Sequence, residues 1–215
     1  MPNRDYHAER KSYEMGALDD NFLQHDPLLL LQTWFDDAFN HKVDEPTAMN
    51  LATVDAKGSP HSRIVLLKQF DEAGLVFYTN YASDKGEELL ANPVAAVNFF
   101  WPQLERQIRI EGRVAKISPE ASDRYFQSRP LDSQLGALVS AQSQTLPNRD
   151  AIELKMAELK QQYANSAPTR PAHWGGYCLT PKRIEFWQGR PNRLHDRLNF
   201  TCNTAGEWSG VRLSP

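Results

Sequence analysis

Apolar residues change their spacing several times along the chain, and each change marks an element. Residues 1–25 are polar with few core candidates, which predicts an arm that is disordered or docks onto something else. Asp26-Pro27 then offers a helix cap followed by a proline in the first turn, and Leu28, Leu31, Phe35 and Ala38 recur at helical spacing. From Thr47 the period shortens to that of strands: 48–54, a turn at 55–58, then 62–70 and, after 71–74, 75–79. Short strands joined by tight turns imply an antiparallel meander. A brief helix over 83–90 stops before Asn92-Pro93, and 94–100 resumes a strand.

The cleanest alternation covers 104–117, where Ile108, Ile110, Gly112 and Val114 face one way and Gln107, Arg109, Glu111 and Arg113 the other. Ser118-Pro119 opens a helix that Pro130 interrupts, and Pro147-Asn148 precedes another with an Ile152, Met156, Leu159 and Tyr163 stripe. The chain returns to strands at 176–179, 183–187, 194–200 and 208–213. Strand dominance with helices inserted late predicts a mainly β fold, a closed or nearly closed antiparallel barrel plus helices. No G-x-G-x-x-G follows a strand, and no Walker loop, H-E-x-x-H, G-x-S-x-G or internal repeat is present. The expected organisation is an arm over 1–25 and a single domain over 26–215.

Charge narrows the ligand classes. With 24 basic and 27 acidic side chains the net charge is -3, so no global positive field gathers nucleic acid or coats an anionic membrane, and any bound anion must meet a local cluster. The N-terminus lacks the apolar stretch of a signal peptide, and no segment approaches the roughly 20 apolar residues of a membrane span. The two cysteines, Cys178 and Cys202, form no close C-x-x-C pair. A cytoplasmic protein is expected, with no metal site.

Four local clusters suit anions. Arg63 and Lys68 bracket the apolar run Ile64-Val65-Leu66-Leu67, and in an ideal strand they point to opposite faces, serving two neighbouring sites or one ligand wrapped round a strand end. Ser83 and Lys85 follow Tyr78-Thr79-Asn80-Tyr81 at a strand-to-helix transition, where backbone donors, a hydroxyl and an ammonium suit a phosphate. Tyr125, Arg129 and Ser133 recur every four residues. Arg193, His195 and Arg197 share one face of an expected strand, with Leu194 and Leu198 opposite. A solvated surface accounts for each cluster taken alone. Trp174 and Trp187, each close to glycine, suit either a planar ligand or the core. Gln107, Gln142 and Ser143 are individually uninformative.

Together these residues resemble the pyridoxamine 5'-phosphate oxidase family from Arg10 to Pro215. The marks are R-I-V-L-L-K at 63–68, F-Y-T-N at 77–80, L-E-R-Q at 104–107, S-R-P-x-D-S-Q at 128–134 and I-E-F-W-Q-G-x-x-x-R-L-H-D-R at 184–197. The resemblance implies an FMN-binding split β-barrel and a homodimer with each flavin at the subunit interface. It implies that Arg63 and Lys85 hold the FMN phosphate with Gln142 and Ser143, and that Arg63, Ile64, Val65, Leu66, Leu67 and Lys68 line the cofactor with Tyr78 and Thr79. Gln107 would address the ring, with Trp187 and Arg197 completing its enclosure. For the substrate it assigns the phosphate to Lys68, Tyr125, Arg129 and Ser133, the ring edge to Arg193, Leu194 and His195, and an arm covering the site to Arg10 and Tyr13. Arg193 and His195 are the expected catalytic pair.

The activity so implied is oxidation of pyridoxamine 5'-phosphate or pyridoxine 5'-phosphate to pyridoxal 5'-phosphate, with dioxygen as acceptor and hydrogen peroxide as product. A non-catalytic carrier of FMN or a B6 phosphate, and an NAD(P)H-dependent flavin reductase of similar fold, are the alternatives. One departure stands out: the family commonly has arginine between the serine and lysine of the phosphate segment, and this chain has Asp84. An anion there weakens phosphate binding if it faces the ligand.

Overall fold

In a computed structural model, residues 5–8 and 11–215 are described, so Arg10 lies outside the described residues. The chain divides into two compact units of interleaved segments. Unit 1 comprises the residues up to Pro46, Asn98–Ile110 and Lys182–Pro215, and unit 2 comprises Thr47–Val97 and Glu111–Pro181.

Unit 1 is built round helix α1 (Pro27–Asn40). The Asp26 carboxylate caps it by accepting the Leu28 N–H at 2.9 Å, and Pro27 occupies the first turn, as the sequence predicts. Leu30, Leu31, Trp34, Phe35 and Ala38 form its buried face. Phe35 meets Phe99 and Trp101 edge-on with ring centroids 5.2 Å apart in each pair, and Trp34 meets Phe186 at 5.1 Å. A fully buried aromatic or leucine of this kind contributes about 1.5–3 kcal/mol, so this stripe is what holds α1 in place. The polar N-terminal stretch is docked rather than free over its last part, with a 3-10 turn at Asp20–Gln24 and Leu18 only 3% exposed.

In unit 2, β1 (Ala48–Val54) pairs with β2 (Pro60–Leu66) from Ala48↔Leu66 to Val54↔Pro60. The Asp55 carboxylate folds the connecting turn by accepting the N–H groups of Lys57 and Ser59 at 2.9 and 2.8 Å, and Gly58 supplies the left-handed position at φ +87°. The single strand expected over 62–70 is in fact two. The Leu67 N–H donates to Thr47 O at 2.9 Å, whereas the Lys68 N–H donates to Val76 O at 2.8 Å. The backbone therefore changes partner between these residues, ending β2 and starting β3 (Gln69–Asp71) alongside β4 (Gly74–Asn80). Helix α2 (Asp84–Ala91) follows β4.

Strands β5 (Val94–Trp101), β6 (Arg106–Lys116) and β7 (Trp174–Gln188) each contribute residues to both units. The two strands expected at 176–179 and 183–187 are one. β7 pairs with β4 through Trp174–Leu179 and with β8 (Asp196–Cys202) through Arg183–Gln188. Pro181, which has no amide hydrogen, falls between these registers and costs neither ladder a bond. Strand β9 (Trp208–Leu213) pairs with β8, and the hydrogen-bonded order of the rest is β2-β1-β5-β6-β7-β4-β3.

Proline 130 separates helix α3 (Pro119–Ser128) from α4 (Leu131–Val139), and α5 (Arg149–Gln162) packs along α4 with its apolar stripe half-buried. Gly112 in β6 lies so close to Thr180 that a Cβ there would stand 2.1 Å from the Thr180 carbonyl oxygen. Gly112→Ala should therefore destabilise the fold by about 1–3 kcal/mol, seen as a lower urea midpoint at unchanged slope. An unchanged midpoint would show that β7 yields at no cost.

Candidate active site

Unit 2 contains a cavity of about 660 Å³ in which three of the predicted clusters meet. The change of partner between Leu67 and Lys68 accompanies the arrival of Arg63 and Lys68 at the same cavity, where an unbroken strand would have set them on opposite faces. Ile64, Val65 and Leu66 line it between them, and Leu67 turns into the core at 7% exposure.

β4 and α2 build the first cationic group. Tyr78 and Thr79 line the cavity from β4, and Lys85 enters from the first turn of α2. Its Nζ donates to Gln142 Oε1 at 3.2 Å and Thr79 Oγ1 at 3.3 Å, with Ser83 Oγ at 3.4 Å. Every one of these acceptors is neutral, and among the described residues no carboxylate pairs with this ammonium although it is 8% exposed. Burial first, and then the Arg63 charge, pulls its pKa below the usual lysine range, with Asp84 and Glu88 opposing. Ser143 stands just outside at φ +70°, accepting the Asp84 N–H at 3.3 Å, and Asp84 itself is exposed.

Arg63 is held by a residue the sequence reading passed over. Its Nη2 pairs with Glu88 Oε2 at 3.0 Å and its Nη1 bonds the Thr53 hydroxyl, which also bonds Glu88. His61 Nδ1 lies 2.5 Å from the other Glu88 oxygen. Burial pushes the Glu88 carboxyl up, but hydrogen bonds from Thr53, His61 and Arg63 outweigh it and hold it below the ordinary carboxylate range. The available signal was its spacing, three residues beyond Lys85 on one helix face.

The second cationic group surrounds an aromatic stack. Tyr78 lies over Tyr125 at 3.8 Å and beside Trp174 at 5.4 Å, with interplanar angles of 17° and 13°. Arg129, at the C-terminal cap of α3, places its guanidinium 4.6 Å from the Trp174 ring centroid. Its Nη1 is buried without a hydrogen-bond partner among the described residues, and burial lowers its pKa. Ser133 reaches the same cavity from the first turn of α4, so Pro130 redirects the chain while Tyr125, Arg129 and Ser133 still converge.

Unit 1 carries the remaining predicted residues. A cavity of about 770 Å³ is lined by Tyr13, Trp187, Arg193 and His195 together with Lys11 and Arg190. The alternation predicted a strand face shared by Arg193, His195 and Arg197, but Arg193 and His195 lie outside any strand and only Arg197 is on β8. Pro191, with its fixed φ, starts a 3-10 turn ending at Arg193, Asn192 and Arg193 are left-handed at φ +57° and +62°, and β8 begins only at Asp196. Non-glycine residues held there cost of order 1–3 kcal/mol each, a strain that clusters at functional sites. The Arg190 N–H donates to His195 Nδ1 at 3.1 Å, which leaves the ring proton of the neutral form on Nε2. Burial, then the Arg193 charge, lowers the His195 pKa.

Arg197 on β8 donates from Nε to Glu185 Oε1 at 2.9 Å and from Nη1 to Ser214 O at 2.9 Å. Glu185, 3% exposed, was also missed. Gln107 is half-buried on β6 and lines neither cavity, and Leu194 is 67% exposed.

These arrangements coincide with clear family likeness. A model described as "Pyridoxamine 5'-phosphate oxidase" matches residues 35–163, and one described as "Pyridoxine 5'-phosphate oxidase C-terminal dimerisation region" matches 174–215. The chain is 52% identical over 206 residues to a pyridoxine/pyridoxamine 5'-phosphate oxidase of Cupriavidus necator, covering 96% of this chain and 97% of that protein. It is 51% identical over 211 residues to the protein of that name from Mannheimia succiniciproducens, covering 98% and 99%. Among solved structures, PhzG from Burkholderia lata 383, crystallised with tetrahydrophenazine-1-carboxylic acid, superposes with a TM-score of 0.89 at 29% identity, covering 95% of this chain and 100% of that one.

Two outcomes follow from the unit 2 cavity. Arg129→Met should weaken binding of a phosphate monoester about 10- to 100-fold by calorimetry, the worth of a charge-assisted hydrogen bond, and equal affinity would mean that the guanidinium faces no anion. Because burial and the Arg63 charge lower the Lys85 pKa, its ammonium loses its proton earlier than an ordinary lysine, and anion affinity should decline with rising pH before the 10.5 of an ordinary lysine is reached. A Lys85→Met variant that kept the same pH profile would refute that assignment.

Proposed function

This chain belongs to the pyridoxamine 5'-phosphate oxidase family, and we propose that it oxidises pyridoxamine 5'-phosphate or pyridoxine 5'-phosphate at the 4'-carbon to pyridoxal 5'-phosphate. It is an FMN enzyme with the split β-barrel fold, and it forms a homodimer. The observation that carries the reading is the unit 2 cavity, where Lys85 and Arg129 are both sheltered and neither has a carboxylate partner among the described residues. Two uncompensated cations beside a stacked aromatic wall fit two phosphorylated, planar molecules better than one.

The donor set fits FMN. Arg63 and Lys85 supply charge to its phosphate, Gln142, Thr79 and Ser143 supply polar contacts, and Ile64, Val65, Leu66 and Tyr78 offer apolar and aromatic surface. By family resemblance, Gln107, Trp187 and Arg197 would complete the flavin enclosure at the subunit interface of the homodimer. FMN held there would supply the two-electron acceptor, with dioxygen as the final acceptor and hydrogen peroxide as the product. Lys68, Tyr125, Arg129 and Ser133 capture the substrate phosphate and fix the distance of its ring. Arg193 is a donor-only group, so it orients the 4'-substituent and stabilises negative charge there, while His195, with its proton on Nε2, addresses the ring edge. For the amine, water then completes the balance, giving aldehyde and ammonia. For the alcohol no water is consumed. Among the described residues no helix is long and apolar enough to cross a membrane, and the cytoplasm is the proposed compartment.

The direct test is anaerobic mixing of FMN-loaded protein with each B6 phosphate. The flavin band should bleach and then return when oxygen is admitted. Bleaching by NADH or NADPH alone would instead make the chain a flavin reductase, and no bleaching by any donor would make it a carrier. The neutral His195 adds a pH signature: kcat/KM should keep its value down to a pH below the ordinary 6.5, with an acid limb that disappears in His195→Asn.

A further inference from the structure

Glu105 occupies the turn between β5 and β6 with φ +54°, a left-handed backbone that favours glycine, and it is 2% exposed. Strain and desolvation both oppose a glutamate here. Its compensation comes from one short segment: Oε2 accepts the Glu14 N–H at 2.6 Å and the Met15 N–H at 3.0 Å, and Oε1 pairs with Lys11 Nζ at 3.0 Å. Burial pushes the carboxyl up, but these donors outweigh it and leave the pKa below the ordinary range, so the acceptor is a carboxylate at neutral pH. The main chain of the same residue grips the end of β7, its carbonyl accepting the Gly189 N–H at 2.7 Å and Gln188 Nε2 at 3.3 Å.

Tyr13 lies between the two anchors. Its ring meets Trp187 at 5.7 Å and 87° and His195 at 5.7 Å and 60°. The strap sits so closely that a Cβ on Gly189 would come within 2.7 Å of the Tyr13 ring. Further along, Arg190 Nη1 donates to Gly16 O at 2.8 Å and the Leu18 N–H donates to Asp196 Oδ2 at 3.1 Å. Those contacts fix residues 16–18, whereas the polar contacts of Lys11, Glu14 and Met15 go to Glu105.

We propose that Glu105 is a positioning residue, a latch whose carboxylate seats residues 11–15 so that Tyr13 forms one wall of the Arg193 and His195 site. This rests on the reading of that cavity as part of the active site. Glu105 touches no proposed substrate atom and acts through Tyr13.

The decisive variant is Glu105→Gly, which removes the carboxylate and also relieves the left-handed strain, so the turn is retained. Hydrogen exchange followed by NMR should show the Glu14 and Met15 amides exchanging at least ten-fold faster, with α1 amides unchanged. KM for the B6 phosphate should rise about ten-fold with a smaller change in kcat, and Glu105→Gln, which keeps one carbonyl acceptor, should lie between. Unchanged exchange at Glu14 and Met15 would overturn the latch, and faster exchange with an unaltered KM would overturn its role in the site. If the unaltered chain oxidises no B6 phosphate, the proposed function falls, and the exchange rates still decide whether the latch exists.

Discussion

The structure depends on holding positive charge, at Lys85 and Arg129, where no carboxylate among the described residues pairs with it. Burying an ion without a partner costs several kcal/mol, and the depressed pKa of Lys85 and the partnerless Nη1 of Arg129 are direct expressions of that cost. The chain bears it by placing carboxylates behind other cations. Glu88 grips Arg63 in unit 2, and in unit 1 Glu185 grips Arg197. Each glutamate is almost fully buried, which strengthens its attraction for the guanidinium and fixes its direction. Arg63 thus brings a committed counter-charge to the cavity, and Lys85 and Arg129 do not.

That division has a chemical use. A cation already paired with a buried carboxylate offers a phosphate geometry, because its remaining N–H groups are aimed before the ligand arrives. An unpaired cation offers binding energy, because its desolvation is already suffered and the incoming anion relieves it. Both kinds occur in the unit 2 cavity, next to a Tyr78, Tyr125 and Trp174 stack whose planarity suits rings rather than chains. In unit 1 backbone strain accompanies the site: Asn192 and Arg193 are held in left-handed conformations, and Arg193 lines the same cavity as His195.

Elements with a strong period were legible in the sequence. α1 was read from its Asp26-Pro27 start, β1 from its alternation, and the break at Pro130 from the lack of an amide hydrogen. What was illegible arose where tertiary partners override local pattern. The Arg193 to Arg197 alternation looks like a strand, yet Pro191 and a left-handed Asn192 delay β8 until Asp196. The run 62–70 looks continuous, yet consecutive amides bond different strands. Candidate cations were legible because arginines and lysines recurring beside aromatics and hydroxyl residues form clusters that suit an anion, whether or not a carboxylate later pairs with them, as Glu88 does with Arg63. Glu88, Glu105 and Glu185 were not, because a glutamate in a helix, a turn or a strand looks solvated until partners 12 to 91 residues away fold against it.

Asp84 shows how a residue that looks adverse in sequence can be harmless in the fold. In the family an arginine commonly stands there, and an aspartate facing the phosphate would repel it. Here the side chain is exposed at the start of α2, where a negative charge is favourable to the helix, and only its backbone N–H turns inward to Ser143. Its field acts on Lys85 in the opposite sense, raising a pKa that burial and Arg63 lower. A solvated anion one residue away therefore helps to keep the buried ammonium protonated, while water screens it from anything the ammonium binds. The missing arginine removes one cation from this segment, and the aspartate that replaces it supports the cation that remains.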